Sequence, residues 1–141
     1  MRIAALDQGT TSTRVLVVSD NGSADIQLSL RHQQHHPHPG WVEHDPLELL
    51  NNLQRCLEAT GQVDAIGIAN QGESCLAWDA KTGEPLSPVI VWQDNRTSAE
   101  IAQLRGDGGE ALTLERAGLP LDPYFSASKL AWIVRNLPAA Q

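Results

Sequence analysis

The sequence has few of the features that mark a nucleic-acid-binding or membrane-surface protein. Lys and Arg account for only 10 of its 141 residues, against 17 Asp and Glu, so the formal net charge is −7. The basic residues form no cluster, whereas a protein that binds phosphate backbones or an anionic lipid surface needs one. We therefore expect neither a nucleic acid nor a membrane among its partners.

Long apolar runs and paired cysteines are also missing. The first apolar run, residues 3–6, is interrupted by Asp7 and is too short for the core of a secretory signal, and no later run approaches the length of a transmembrane helix. Cys56 and Cys75 lack a Cys-x-x-Cys spacing, so a disulfide framework is not indicated. These features predict a cytoplasmic protein with reduced thiols.

The pattern at the N-terminus predicts three antiparallel strands. Short β-rich runs occupy residues 3–6 and 14–18, and apolar side chains alternate with polar ones over residues 26–30. Asn21-Gly22, between the second and third runs, is typical of a hairpin turn. The domain is therefore predicted to open with an antiparallel meander.

Helices and a crossover strand are predicted to follow the meander. Asp45 and Pro46 form a helix start, and Gly61 ends a helix whose predicted apolar face contains Leu49, Leu50, Leu53 and Leu57. The apolar run 63–69 is then a strand that a right-handed crossover places parallel in the sheet. A short strand is predicted at 76–78, and helices at 98–104, at 110–117 and after an N-cap at Ser126. This order predicts an α/β fold with a mixed sheet flanked by helices.

The turn between the first two strands carries the most informative chemistry. Gly9 permits close approach of a phosphate and a positive φ, and successive amides of such a turn can form an anion-binding concavity. Donors are available from Thr10, Thr11 and Ser12. A positive charge is available from Arg14. The alternative is a solvated hairpin turn that is merely rich in Thr and Ser.

The histidines at 32, 35, 36, 38 and 44 could suggest a metal site. His35 and His36 are adjacent and point apart, and the intervening prolines prevent a regular helix or strand. We therefore expect a solvated loop over residues 32–38, and a role for His44 in fixing the loop that it follows.

Residues 7–14 resemble the first phosphate-binding motif of the ATPase fold shared by actin, Hsp70 and the sugar kinases. Four later segments are similar to the FGGY carbohydrate kinases, and among them to the glycerol-kinase group: Pro-Gly-Trp-Val-Glu-His-Asp-Pro at 39–46, Ile-Gly-Ile-Ala-Asn-Gln at 66–71, Trp-Gln-Asp-Asn-Arg-Thr at 92–97 and Asp-Pro-Tyr-Phe-Ser at 122–126. They occur in the family's order and span nearly the whole chain.

The resemblance implies a ribonuclease-H-like, actin-like ATPase domain and ATP with Mg²⁺ as cofactors. It implies phosphate binding by the turn and water-mediated Mg²⁺ binding by Asp7. The small-molecule polyol or sugar would contact Glu73, Trp92 and Tyr124. We expect the intact enzyme to be a homo-oligomer.

One position departs from the resemblance. Glycerol-kinase-like sequences read Asn-Gln-Arg-Glu where this chain has Asn-Gln-Gly-Glu at 70–73. Gly72 is assigned to the substrate site with this difference in mind, because an arginine there would donate charge-assisted hydrogen bonds to substrate hydroxyls. We therefore expect an acceptor larger than glycerol.

Two parts of such a kinase are not found in the 141 residues. The family's catalytic base, an Asp in a downstream Gly-Asp-Gln segment, is absent, and so is the C-terminal nucleotide domain. Residues 1–141 are therefore interpreted as a partial N-terminal, substrate-side domain that has no kinase activity alone. The alternatives are a segment of an actin- or Hsp70-type ATPase and a non-catalytic polyol-binding or interaction module.

Overall fold

A computed structural model describes residues 1–140, which divide into two compact units. Unit 1 comprises Met1–Gln34 and His44–Gly72, and unit 2 comprises His35–Glu43 and the chain from Glu73 onward. The elements in chain order are β1 (Arg2–Gln8), β2 (Ser12–Ser19), β3 (Ala24–Arg31), β4 (Glu43–His44), α1 (Pro46–Ala59), β5 (Ala65–Ala69), β6 (Val89–Ile90), α2 (Ser98–Gly106), α3 (Gly109–Ala117), α4 (Ser126–Asn136) and a short 3-10 helix (Pro138–Ala140).

Unit 1 is built on a four-stranded mixed sheet in the order β3-β2-β1-β5. β1 and β2 pair antiparallel from Arg2↔Ser19 to Gln8↔Thr13, and β2 continues antiparallel with β3. β5 joins β1 in parallel, in the register Ile3↔Ala65. The predicted meander and parallel crossover are therefore confirmed, as is the α/β class.

Helix α1 packs on β1, β2 and β3. Its predicted start is correct, because the Asp45 carboxylate accepts a hydrogen bond from the Leu47 amide at 2.8 Å. Its predicted apolar face was wrong at Leu50, which is 51% exposed. Leu50 follows the buried Leu49 by about 100° around the helix, whereas Asn52 and Cys56 share the buried stripe with Leu49 at the i, i+3 and i+7 positions.

The solvated-loop prediction for residues 32–38 was wrong at its first residue. His32 is buried with 8% of its surface exposed, whereas His35, His36 and His38 are exposed as expected. His44 is also buried, and its Nδ1 lies 2.9 Å from the Gln33 carbonyl oxygen. Both rings pack in unit 1, edge to face with centroids 4.7 Å apart.

Within residues 1–140, unit 2 contains three α-helices, α2, α3 and α4, the short 3-10 helix and little regular sheet. The predicted strand at 76–78 was wrong, because this segment makes only isolated bridges, Cys75↔Ile90 and Trp78↔Pro85. The predicted helix α3 ends as expected at Gly118, which has a φ of 69°. Ser126 is the first residue of α4, and Phe125, not Ser126, is its N-cap.

A buried ion cluster in unit 2 joins two loops. The Arg96 side chain is 1% exposed and donates hydrogen bonds to both carboxylate oxygens of Asp94 at 2.9 Å and to Glu43 Oε1 at 2.7 Å. Its guanidinium lies 3.8 Å from the centre of the Trp41 ring and 4.7 Å from that of Trp132. Since two carboxylates and two rings contact this group, it fixes the loop that begins at Trp92.

None of the helices within residues 1–140 has the length and apolarity needed to cross a membrane.

Candidate functional site

The turn predicted to bind phosphate connects β1 and β2 in unit 1. The Gly9 amide donates to the Ser12 carbonyl oxygen at 2.9 Å, which closes the turn. The expected positive φ at Gly9 was wrong, because Gly9 is not among the glycines with a left-handed backbone. Glycine is favoured here by crowding: a Cβ atom would lie only 3.3 Å from the Ser12 carbonyl oxygen. Gly9 therefore allows a tight turn without left-handed geometry.

Two glutamine side chains hold the turn from the inside. The buried Gln71, two residues beyond the end of β5, donates from Nε2 to the Gly9 carbonyl oxygen at 3.0 Å. Gln8 Nε2 donates to the same oxygen at 3.3 Å. Sequence reasoning did not assign this role to either residue, although Gln71 ends a family-like segment directly after a predicted strand. These contacts fix the orientation of the Gly9–Thr10 peptide.

Asp7 and Arg14 lie directly opposite each other on β1 and β2. Arg14 Nε and Nη2 each lie 2.8 Å from Asp7 Oδ2. The Asp7 side chain is 45% exposed and that of Arg14 is 55% exposed, so the pair faces solvent and not the core of unit 1. The two charges neutralise each other in this arrangement, yet both stay accessible to an incoming ion.

Glu73, in unit 2, contacts the first residue of α4. Its Oε2 accepts hydrogen bonds from the Ser126 amide at 2.7 Å and from the Ser126 hydroxyl at 2.5 Å. These bonds, the hydroxyl first, lower the pKa of Glu73. The carboxylate satisfies an amide at the positive end of the helix, where a negative charge is favourable. Both hydrogen bonds from Ser126 go to the same oxygen, Oε2.

Trp92 and Tyr124 form an aromatic corner in the same unit. Their ring centroids are 5.8 Å apart with an interplanar angle of 67°. The Trp92 amide donates to Ser74 Oγ at 3.0 Å, and Lys129 Nζ donates to the Tyr124 carbonyl oxygen at 2.5 Å. Lys129 is fully buried, and that burial lowers its pKa. Sequence reasoning missed Lys129; its only signal was the i, i+3 spacing from Ser126 in a predicted helix.

The structure brings three of these segments to one turn of α4. Ser126 binds Glu73, Lys129 binds the carbonyl of Tyr124, and Ser128 Oγ lies 2.8 Å from Thr97 Oγ1 at the end of the segment that contains Trp92. The predicted acceptor residues of unit 2 therefore share one scaffold, the first turn of α4.

Gly72 is the last residue of the unit 1 segment that follows α1. It is exposed, its φ is not positive, and a Cβ atom built on it would meet no atom within 4 Å. A side chain at this position is therefore compatible with the backbone, so the glycine is not required by the fold of unit 1.

Within residues 1–140, no three His, Cys, Asp or Glu residues are grouped in a way that could hold a metal ion. A Mg²⁺ that accompanies nucleotide phosphates needs only one or two carboxylates from the protein. The exposed Asp7 beside the turn fits that requirement as a single water-mediated carboxylate.

The chain matches the N-terminal domain of the FGGY family of carbohydrate kinases over residues 2–141. It is 46% identical to a glycerol kinase of Methylorubrum populi (strain ATCC BAA-705 / NCIMB 13946 / BJ001) over 147 residues, which cover 99% of this chain and 29% of that protein. The chain therefore spans less than a third of the length of this relative.

Solved structures show the same relationship. The chain superposes on the glycerol kinase of Plasmodium falciparum, solved with ADP, with a TM-score of 0.85 and 31% identity, over 97% of this chain and 29% of that one. It superposes on a xylulose kinase of Lactobacillus acidophilus with a TM-score of 0.89 at 23% identity, over 99% and 29% of the two chains, a likeness of fold alone. With the actin-like ATPase fold and the N-terminal family match, the chain belongs to the FGGY family of carbohydrate kinases and is glycerol-kinase-like.

Proposed function

We propose that this chain is the substrate-side, N-terminal part of an ATP-dependent kinase that transfers the γ-phosphate of ATP to a hydroxyl of a polyol or sugar. The observation that carries the proposal is the closed turn between β1 and β2, whose inner carbonyl is held by Gln8 and Gln71. Because the chain belongs to a family of kinases, this fixed turn supports the proposal that residues 9–12 bind phosphate.

The phosphate side of the mechanism is assigned to unit 1. Backbone and hydroxyl donors of residues 9–12 would bind phosphate oxygens, and Arg14 would supply a positive charge. Asp7 would hold Mg²⁺ through water. When bound, ATP supplies the transferable phosphoryl group, and Mg²⁺ neutralises part of the negative charge of the phosphates. For Arg14 to contact phosphate, it must share or leave its bond with Asp7, which its exposure permits.

The acceptor side is assigned to unit 2. The free oxygen of Glu73 would accept hydrogen bonds from hydroxyls, and Ser126 keeps that carboxylate ionised and oriented. Trp92 and Tyr124 would cover the C–H face of the acceptor. Positioning of the acceptor hydroxyl accounts for much of the rate in phosphoryl transfer. The proton of the attacking hydroxyl would go to a base that lies outside these 141 residues.

We further propose that the acceptor is larger than glycerol. Gly72 precedes Glu73 in the sequence, and a Cβ atom at Gly72 would meet no atom within 4 Å. Glycerol-kinase-like sequences carry an arginine at this position. An absent charge-assisted hydrogen bond costs about 1.5–3 kcal/mol, or roughly tenfold or more in affinity for a small acceptor. A longer polyol or sugar could fill the space and regain contacts.

The isolated chain is proposed to be inactive, because one side of the γ-phosphate would have no protein groups around it. Residues 1–141 would then be a partial N-terminal domain, with the nucleotide domain supplied by further sequence. A cytoplasmic, homo-oligomeric parent enzyme is part of the same proposal.

A chimera tests the proposal. The matching segment of the Methylorubrum populi glycerol kinase is replaced by this chain, and ATP-dependent phosphorylation is measured with glycerol, tetritols, pentitols and ketoses. We expect turnover of a larger acceptor, with glycerol the poorer substrate by about tenfold or more in kcat/KM. The isolated chain should show no turnover.

The control is the same chimera with Gly72→Arg, which should regain glycerol phosphorylation by about tenfold. A folded chimera that phosphorylates no acceptor would contradict the kinase proposal. A clear preference for glycerol in the unmodified chimera would contradict only the proposal of a larger acceptor.

A further inference from the structure

His32 contacts the turn that is proposed to hold phosphate at two points. It follows directly after β3, and its Nε2 lies 3.0 Å from the Thr10 carbonyl oxygen. Its backbone amide donates to the Thr11 carbonyl oxygen at 3.3 Å. His32 is buried, with only 8% of the residue exposed. Two successive carbonyls of the turn are therefore held by one residue.

The hydrogen-bonding partner determines the tautomer of His32. A carbonyl oxygen can only accept, so Nε2 must carry the hydrogen. Nδ1 is buried and has no hydrogen-bond partner among residues 1–140. The ring also packs in a T-shaped arrangement with the ring of His44. Burial of a polar ring is unfavourable without hydrogen bonds, and within residues 1–140 the bond to Thr10 is the one hydrogen bond of this ring. The contact with the turn is therefore what compensates the burial of the imidazole.

This contact determines where the next amide points. Every peptide bond within residues 1–140 is trans, so an N–H points opposite to the C=O of its own peptide unit. With the Thr10 carbonyl bound to the buried His32 ring, the Thr11 amide points away from the interior, on an exposed residue. Gln71 imposes the same orientation on the preceding peptide, because it binds the Gly9 carbonyl. Two successive N–H groups are thereby directed outward, as an anion-binding nest requires.

We propose that His32 is a positioning residue for anion binding: its Nε2–H holds the Thr10 carbonyl inward so that the Thr11 amide is preset toward a polyphosphate. The inference rests on the proposed function of the turn. His32 itself touches no ligand. It reduces the conformational cost of binding, because the amides need not be reoriented when the anion arrives.

The test compares the full chain with its His32→Phe and His32→Gln variants. Phenylalanine keeps the size of the ring and removes the donor, whereas the amide Nε2 of glutamine can still donate to the Thr10 carbonyl. Inorganic tripolyphosphate is titrated into each protein, and binding is followed by the ¹⁵N–¹H amide shifts of residues 9–12. Hydrogen exchange of the Thr11 amide and thermal unfolding are measured on the same samples.

We expect His32→Phe to bind tripolyphosphate about five- to tenfold more weakly, the effect of one net hydrogen bond on affinity. His32→Gln should bind within about twofold of the original protein. The Thr11 amide shift of His32→Phe should change even without ligand, because the turn is no longer held. A purely structural role would instead lower stability and affinity in parallel in both variants.

Equal affinity of His32→Phe and the original chain would overturn the inference and leave the proposed function intact. Failure of the original chain to bind tripolyphosphate at the turn would overturn both. If His32→Phe does not fold, His32→Asn replaces it: its shorter side chain cannot reach the carbonyl, so its affinity should fall while that of His32→Gln does not. Equal affinities of the Asn and Gln variants would then contradict the inference.

Discussion

The two units of the chain present their predicted functional groups in different ways. In unit 1 the phosphate-binding candidates lie on and between two strands whose backbone pairing is continuous from Arg2↔Ser19 to Gln8↔Thr13. In unit 2 the acceptor candidates lie on loops that side chains hold in place, through Arg96, Ser126 and Lys129. A group of candidates on the backbone therefore depends on strand pairing, whereas a group held by side chains depends on buried charge.

The buried charges follow the same division. Among the described residues, the buried residues that carry formal charge are Asp94 and Lys129, both in unit 2, and the Arg96 side chain is almost fully buried with them. The side-chain ion pair between Asp7 and Arg14 in unit 1 is about half exposed. When one partner of a buried ion pair is removed, the remaining charge has neither a counter-charge nor water around it. When one partner of an exposed pair is removed, water solvates the remaining charge. Single substitutions should therefore affect unit 2 far more than unit 1.

The largest effect is expected for Arg96→Met. This change leaves Asp94 buried without its counter-charge and removes the contacts with Trp41 and Trp132, so unit 2 should lose about 3–5 kcal/mol. Residue-resolved hydrogen exchange should show faster exchange in α2 and α4, with β1 and β2 little changed. Equal loss of protection in both units would contradict the division described above.

A smaller effect is expected for Glu73→Gln. The neutral side chain can still accept a hydrogen bond from Ser126 but loses its charge, at a cost of about 1–2 kcal/mol, because Glu73 is partly exposed. The measurement is urea unfolding of both proteins at neutral pH.

The same pair of proteins tests pH dependence. The pKa of Glu73 is lowered in the folded chain by Ser126, so its stabilisation is complete above the ordinary glutamate pKa of about 4.3 and is lost as the pH falls through the lowered value. The stability difference between the original chain and Glu73→Gln should therefore shrink in acid. A difference that is independent of pH would show that the charge is not what stabilises α4.

The smallest effect on stability is expected for Arg14→Met. The pair with Asp7 is exposed, so its loss should change the free energy of unfolding by about 0–1 kcal/mol, and less at high salt. This variant is the matched control for Arg96→Met, since each removes one arginine from a carboxylate. A cost above 2 kcal/mol would mean that the exposed pair supports the sheet as strongly as the buried cluster supports unit 2.

The predictions from sequence succeeded where local patterns act on the backbone. The strand meander, the N-cap Asp45 and the helix end at Gly118 were all predicted, and each depends on a few neighbouring residues. Predictions failed where a distant side chain changed the outcome. Ser126 is the first residue of α4 and not its N-cap, and its amide and hydroxyl donate to Glu73, 53 positions away. His32 is not solvated because the turn of residues 9–12 provides a carbonyl for its ring.

The amino-acid sequence by itself determined the family, the order of strands and helices, and the residues with suitable chemistry. Alternation of apolar residues, capping residues and turn glycines act over short distances, so they can be identified without coordinates. Only the tertiary structure decided that Gln71 and His32 support the turn of residues 9–12, which is proposed to bind phosphate, and that the first turn of α4 gathers Glu73 and Tyr124. These contacts join residues far apart in the chain, and their energies depend on burial, which local sequence patterns do not specify.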